Sequence, residues 1–223
     1  MSAEPKPSAT TVLIRDADGD IEVLLLQRSP RRDGSPWPWV FPGGKIEPAD
    51  LAGHSDDPES SARRAAIRET REEAGLEIQN SNLVTISRWI TPELARKRFD
   101  TWFFLGTVDR HEAVRVDGAE MCAHRWLSPR GALEAHGSGE IGLAPPTFVT
   151  VVWLTRYSHS ADAIATLGRG PVVTFHPKIF PIPDGACILY PGDAGYEEGD
   201  VERPGPRHRL WSLPSGFRYE RTP

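Results

Sequence analysis

Arg68-Glu69-Thr70-Arg71-Glu72-Glu73-Ala74-Gly75-Leu76 is the stretch on which the reading of this 223-residue chain turns. It is rich in helix formers and closes on a glycine, the usual left-handed C-terminal cap. Upstream, Asp57-Pro58 supplies a capping carboxylate and then a proline suited to a first helical turn. A helix is therefore predicted over Glu59–Ala74. At 100° per residue, Glu73 lies about 40° to one side of Glu69 and Glu72 about 60° to the other. Three carboxylates thus share an arc of about 100°, where like charges repel. A hard divalent cation, which takes oxygen ligands, relieves that repulsion. The alternative is a solvated charged face laced by pairs such as Arg68 with Glu72. Phe41-Pro42-Gly43-Gly44 upstream favours the metal. Ala62, Ala65 and Ala66 let the helix sit close to this glycine turn, whose backbone carbonyls approach a metal without Cβ interference.

Outward from the helix, the chain alternates apolar runs with turns. Residues 1–9 read as a disordered tail. Thr11–Ile14 and Ile21–Gln27 read as a hairpin about Asp18-Gly19, and Ser29–Trp39 as a loop with three prolines. Residues 46–58 read as a polar loop. Leu83–Ile90, Thr101–Val108 and His124–Leu127 read as strands, and Ser128-Pro129 as a capped helix start. Residues 147–157 and 162–167 read as helices. The expected fold class is α+β, with a core domain over 10–145 and a helical or irregular extension over 146–223 packed on it, whose part beyond the two helices reads as irregular or β-rich.

Composition narrows the function classes. A net charge of −5 gives no footprint for nucleic acid or an anionic membrane surface. No apolar run approaches the roughly 20 residues of a membrane span. The N-terminus MSAEPKPSAT lacks an apolar signal core, and Cys122 and Cys187 form no metal spacing. These features read as a cytoplasmic protein with two free thiols.

The helix residues resemble the Nudix box, G-x5-E-x7-R-E-U-x-E-E-x-G-U with U apolar. Thr70 stands in an aliphatic slot. Arg68 follows Gly44 by 24 positions where the family pattern has 14, so about 10 residues are inserted within 46–58. The slot of the family's first glutamate holds Ser60, with Glu59 and Glu47 nearby, which leaves open the acid that holds Arg68. The resemblance covers roughly residues 10–135 and implies an α/β/α sandwich around a mixed sheet. It also implies Mg²⁺ or Mn²⁺ held by Glu69, Glu72, Glu73 and a carbonyl of Gly43 or Gly44, with Arg68 in support. Many members carry a further glutamate six residues before a tryptophan. Glu120 stands so to Trp126 and is the candidate base or extra ligand, beside the box's own Glu72 and Glu69. The implied activity is hydrolysis of a nucleoside diphosphate linked to another group; a homodimer is common in the family.

The substrate is read from outside the box. Leu25-Leu26-Gln27-Arg28-Ser29 ahead of Phe41-Pro42-Gly43-Gly44 is similar in layout to the coenzyme A pyrophosphatases of this family. Asp33 and Trp37 stand where that subgroup has Arg and Gly, and Arg31 and Arg32 are out of register. Arg28, Arg98 and Phe99 are the candidate substrate-binding residues, with Arg96 and Lys97 in the same basic loop. Trp37, Trp39 and Trp89 read as core or rim, and Pro191–Tyr196 as a structured turn. Coenzyme A or acyl-coenzyme A is the leading substrate. ADP-ribose, a nucleotide sugar or a dinucleotide polyphosphate are the alternatives. A non-catalytic ligand-binding domain is the rival of a different class, though all three helix glutamates are present.

Overall fold

A computed structural model describes residues 3–30, 38–51 and 57–222. Arg31, Arg32, Asp33 and Trp37 of the coenzyme A motif lie outside the described residues, as do residues 52–56 of the insertion.

One strand with two apolar faces organises the layers. In β1 (Lys6–Ala17), Ala9 and Leu13 are buried in one hydrophobic cluster, and Val12 and Ile14 in another on the opposite face. It runs parallel to β6 (Phe99–Thr107), and antiparallel to β2 (Asp20–Arg28) and β4 (Gly43–Lys45). Beyond β2 lie β3 (Trp39–Val40) and β7 (Met121–Leu127). Beyond β6 lies β5 (Leu83–Ile90), and β8 (Val173–Phe175) adds to β5 in parallel. Among the described residues this is an eight-stranded mixed sheet. The disordered tail expected over 1–9 is corrected here. The strand begins at Lys6, whose backbone N–H donates to the Arg98 carbonyl at 2.9 Å. Polar side chains do not prevent a strand whose backbone pairs with β4 on one side and β6 on the other.

Helix α2 (Pro58–Ala74) packs on the Ala9/Leu13 face through Ala62, Ala65 and Ala66. The 46–58 segment, expected as a loop, contains a short helix, α1 (Pro48–Leu51), docked on α2. On the opposite face lie α3 (Pro129–Gly137), α4 (Pro145–Leu154) and α5 (Ser160–Arg169).

Past its helices the C-terminal part takes the β-rich of the two forms, irregular or β-rich, that its apolar stretches and Pro and Gly turns suggest. It forms a second, antiparallel sheet of β9 (Lys178–Ile182), β10 (Gly185–Leu189), β11 (His208–Leu213) and β12 (Gly216–Arg221). In β10 alternate residues bury on opposite sides: Ile188 joins the main core, and Cys187 and Leu189 a smaller cluster with Tyr196. The division at 145/146 does not divide the core. Trp89 of β5 stacks on Phe175 of β8 with centroids 3.7 Å apart, and Tyr190 meets Trp89 edge-on at 5.7 Å. Trp39 and Trp89 are buried, as core residues. Among the described residues, no helix is long and apolar enough to cross a membrane.

Candidate functional site

The ends of α2 are fixed by its own sequence. The Asp57 carboxylate accepts from the Glu59 and Ser60 backbone N–H groups, and Gly75 takes φ 67° with its N–H donating to the Arg71 carbonyl. The rotation set between these caps turns Glu73 inward, where it is only 4% exposed. Its carboxylate accepts from the Gly43 backbone N–H at 2.9 Å. Burial is the main influence on this carboxyl, and the neighbouring charge of Glu69 adds to it. Together they outweigh the Gly43 hydrogen bond and push Glu73 up to about 7. Burial likewise raises Glu69.

The glycines are required by this approach. A Cβ on Gly44 would lie 2.3 Å from a Glu69 carboxylate oxygen. The strand register pairs Ala9 with Gly44 and Thr10 with Gly43. Thr11 N–H donates to the Pro42 carbonyl, and Ile46 N–H to that of Pro7. By the alternation of an antiparallel ladder, Ala9 and Gly44 then exchange backbone bonds, and the Gly43 N–H and C=O point off the sheet edge.

Arg68 is the hub of the cluster. Its guanidinium donates to Glu69 and Glu72 at 2.9 Å each, to the Lys45 carbonyl at 3.0 Å, and to both carboxylate oxygens of Asp50 at 3.0 and 3.3 Å. Burial works against its charge, but the bonds to Asp50 and Glu69 outweigh it and hold the guanidinium above its usual range. Asp50, 5% exposed on α1, is thus the acid left open by the sequence. It was missed because it lies in the insertion, 18 residues before Arg68. Arg64 also donates to the Asp50 carbonyl at 2.6 Å. Three carboxylates, those of Asp50, Glu69 and Glu72, therefore share one guanidinium. Among the described residues, no three acidic, histidine or cysteine side chains already converge as a ligand set.

Glu120 comes to the same end of the molecule. It is ion-paired with Arg28, across the β2–β7 ladder, and Arg28 in turn lowers the pKa of Glu73. Asp117, a residue the sequence reading passed over, accepts from the backbone N–H groups of Ala119, Glu120 and Met121 and so shapes the turn that carries Glu120. Arg98 does not join them. It is buried, and its guanidinium donates to the carbonyls of Thr91 and Ala3, tying the N-terminal segment to the start of β6. The substrate-phosphate role expected of Arg98 is corrected accordingly. Arg96 and Lys97 are the exposed cations of that loop. Phe99 lines an apolar cavity on the other face of the sheet.

Comparison with known proteins gives the same outline. The family model described as the NUDIX domain matches residues 5–146. Acyl-coenzyme A diphosphatase NUDT19 of Homo sapiens is 33% identical over 195 residues, which cover 83% of this chain. The chain spans 50% of that relative's length. The protein of the same name from Xenopus laevis is 25% identical, covering 80% of this chain and 72% of its own. A NUDIX hydrolase structure from Alicyclobacillus acidocaldarius superposes with a TM-score of 0.65 at 27% identity, covering 76% of this chain and 99% of that one. With the glutamate helix, the glycine turn and the mixed sheet in place, the chain belongs to the Nudix family.

Proposed function

We propose that this chain is a divalent-cation-dependent pyrophosphohydrolase acting on coenzyme A or acyl-coenzyme A. The observation that carries the reading is the α2 cluster, in which Asp50, Glu69 and Glu72 share the Arg68 guanidinium and Glu73 is buried against the glycine turn. A buried carboxyl raised to about 7 and flanked by a second raised carboxyl fits a site completed by a hard cation. Glu69, Glu72 and Glu73, with the outward carbonyl of Gly43 or that of Gly44, would hold Mg²⁺ or Mn²⁺. When bound, the cation would neutralise the diphosphate and lower the pKa of a water molecule.

The chain's own residues do the rest. Arg68, anchored by Asp50, sets the orientation of Glu69 and Glu72. Glu72, about half exposed, or Glu120 accepts the proton of the attacking water. Arg28, ion-paired with Glu120, would meet a substrate phosphate. Water attacks one phosphorus and gives its proton to the glutamate, the bridging P–O bond breaks, and the other half leaves, so that each half ends in a phosphate monoester. The coenzyme A assignment is supported by the relatives named acyl-coenzyme A diphosphatase and by the Leu25–Ser29 layout ahead of the glycines. Two unpaired thiols, Cys122 and Cys187, support a reducing, cytoplasmic setting. A homodimer is carried by the family resemblance and is tested by light scattering.

The deciding experiment is a substrate panel with Mg²⁺, with Mn²⁺ and with chelator: coenzyme A, acyl-coenzyme A, ADP-ribose, a nucleotide sugar and a dinucleotide polyphosphate. Metal-dependent cleavage of the coenzyme A compounds is expected, reduced on the order of 100-fold or more in Glu72→Gln. Turnover of ADP-ribose with none of the coenzyme A compounds overturns the substrate; turnover unaffected by chelator overturns the metal.

A further inference from the structure

A cavity of about 390 Å³ opens between the main sheet, the start of α4 and the second sheet. Its walls include Trp89, Phe103, Pro145, Ile188 and Tyr190, and none of its lining residues is charged. Of the hydroxyls that line it, Thr91 Oγ1 already accepts from the Phe99 backbone N–H at 3.0 Å, and Thr101 Oγ1 is bonded to Ser8 Oγ at 2.7 Å. Thr10, Thr147 and Tyr190 add three further hydroxyls, but with no charged residue in the walls nothing there neutralises a diphosphate, and the largely aromatic, aliphatic and proline lining suits a hydrocarbon chain. Ile179 on β9, at 44% exposed, presents apolar surface that an occupant would cover.

The cavity adjoins the glutamate cluster through one residue. Thr10 lines it and is paired with Gly43 across the β1–β4 ladder, while the Gly43 N–H is held by Glu73. A Cβ on Gly43 would lie 2.7 Å from the Thr10 hydroxyl, so nothing wider than the glycine backbone fits there. Thr10 stands on the Val12/Ile14 face of β1, and α2 packs on the other. The glycine ribbon therefore separates a polar, carboxylate-lined side from an apolar one. An acyl-coenzyme A with its diphosphate on the first side would reach the second with its acyl chain only by way of its pantetheine arm. Thr147, Pro177, Ile179, Ile188 and Tyr190 come from beyond residue 146, where the family match ends.

We propose that this cavity is the subsite for the acyl chain of an acyl-coenzyme A substrate, and that the C-terminal segment thereby sets chain-length preference. The proposal rests on the coenzyme A reading above. It is tested by kcat/KM for free coenzyme A and for acetyl-, hexanoyl-, decanoyl- and palmitoyl-coenzyme A. The ratio to free coenzyme A is expected to rise by up to about fourfold per methylene until the cavity is filled, then to level or fall. Ala144→Trp and Ile179→Trp narrow the cavity from two sides, the second on an exposed strand position where the fold is not at stake. Each is expected to lower the decanoyl-to-acetyl ratio on the order of tenfold. A flat wild-type series, or variants with an unchanged ratio, overturns the proposal.

Calorimetric titration with decanoyl-pantetheine, which lacks the diphosphate, separates the two readings. Saturable binding that Ile179→Trp weakens supports the subsite. If no coenzyme A ester is cleaved but this binding persists, the substrate reading alone has failed. If decanoyl-pantetheine does not bind wild type, the subsite has failed whatever the turnover.

Discussion

Glu73 concentrates the chemistry of the α2 cluster in a single side chain. Its folded carboxyl titrates at about 7, raised from the ordinary glutamate value of about 4.5 chiefly by burial. Without metal, a proton stabilises the folded form, so stability from this group is fully present below about 4.5 and is lost as pH rises towards 7. Glu73→Gln keeps an acceptor for the Gly43 N–H and removes the charge. In chelator, the variant is expected to exceed wild type in stability by about 2–3 kcal/mol near pH 8, and to match it near pH 4. Urea denaturation at the two pH values checks this. Adding Mg²⁺ is expected to reverse the order near pH 8, because only wild type gains a charged ligand. Gly44→Ala acts at the same scale. Its methyl would overlap the Glu69 carboxylate, so turnover is expected to fall on the order of 100-fold, with the far-ultraviolet circular dichroism unchanged.

At the scale of elements, the pairing of α1 with α2 matters most. Helix α2 is locally encoded: Asp57 and Gly75 set its limits, and the alanine stripe its buried side. Those residues are near in sequence, so the helix, its caps and its glutamate arc were legible there. Asp50 was not, because its partner Arg68 is brought to it only when α1 folds back on α2. Asp50→Asn keeps the shape and drops the charge that anchors the guanidinium. The expected result is a loss of about 1–3 kcal/mol of stability and a fall in kcat on the order of tenfold, with KM little changed. Wild-type kcat in this variant would show that Arg68 needs no anchor. The basic loop misled for a similar reason. Arg98 reads as a surface cation beside Arg96 and Lys97, but β1 extends to Lys6 and brings the Ala3 carbonyl to its guanidinium.

Across the whole molecule, the second sheet and the main sheet share one core. Trp89 and Phe103 belong to the same buried cluster as Phe175, Ile188, Tyr190 and Leu210. A chain ending at residue 145 would leave those rings exposed, and is expected to lack a cooperative thermal transition. The second sheet has its own anchor in the Asp193–Arg209 ion pair, in which both side chains are almost fully buried. Burial alone would raise Asp193, but Arg209 and the His208 and Gly195 N–H groups outweigh it and hold the carboxyl at about 2. Its contribution is therefore complete above an unfolded value near 3.8 and is lost as pH falls towards 2. Asp193→Asn is expected to cost about 3–5 kcal/mol near neutral pH, and the gap from wild type to narrow in acid. A gap independent of pH would show that the pair contributes no ionisation energy.

The amino-acid sequence by itself determined the elements whose causes are local. These are the capped helix with Glu69, Glu72 and Glu73 on one arc, the glycine turn, and the strands bounded by Gly and Pro. Their signals are side-chain periodicity and backbone preference, which act over a few residues. Tertiary structure decided what depends on distant partners. It chose Asp50 as the anchor of Arg68, turned Arg98 inward and made the C-terminal segment a sheet on the common core. It also buried Glu73 against Gly43, which raises its carboxyl, since desolvation is set by everything packed around a group rather than by its neighbours in the chain.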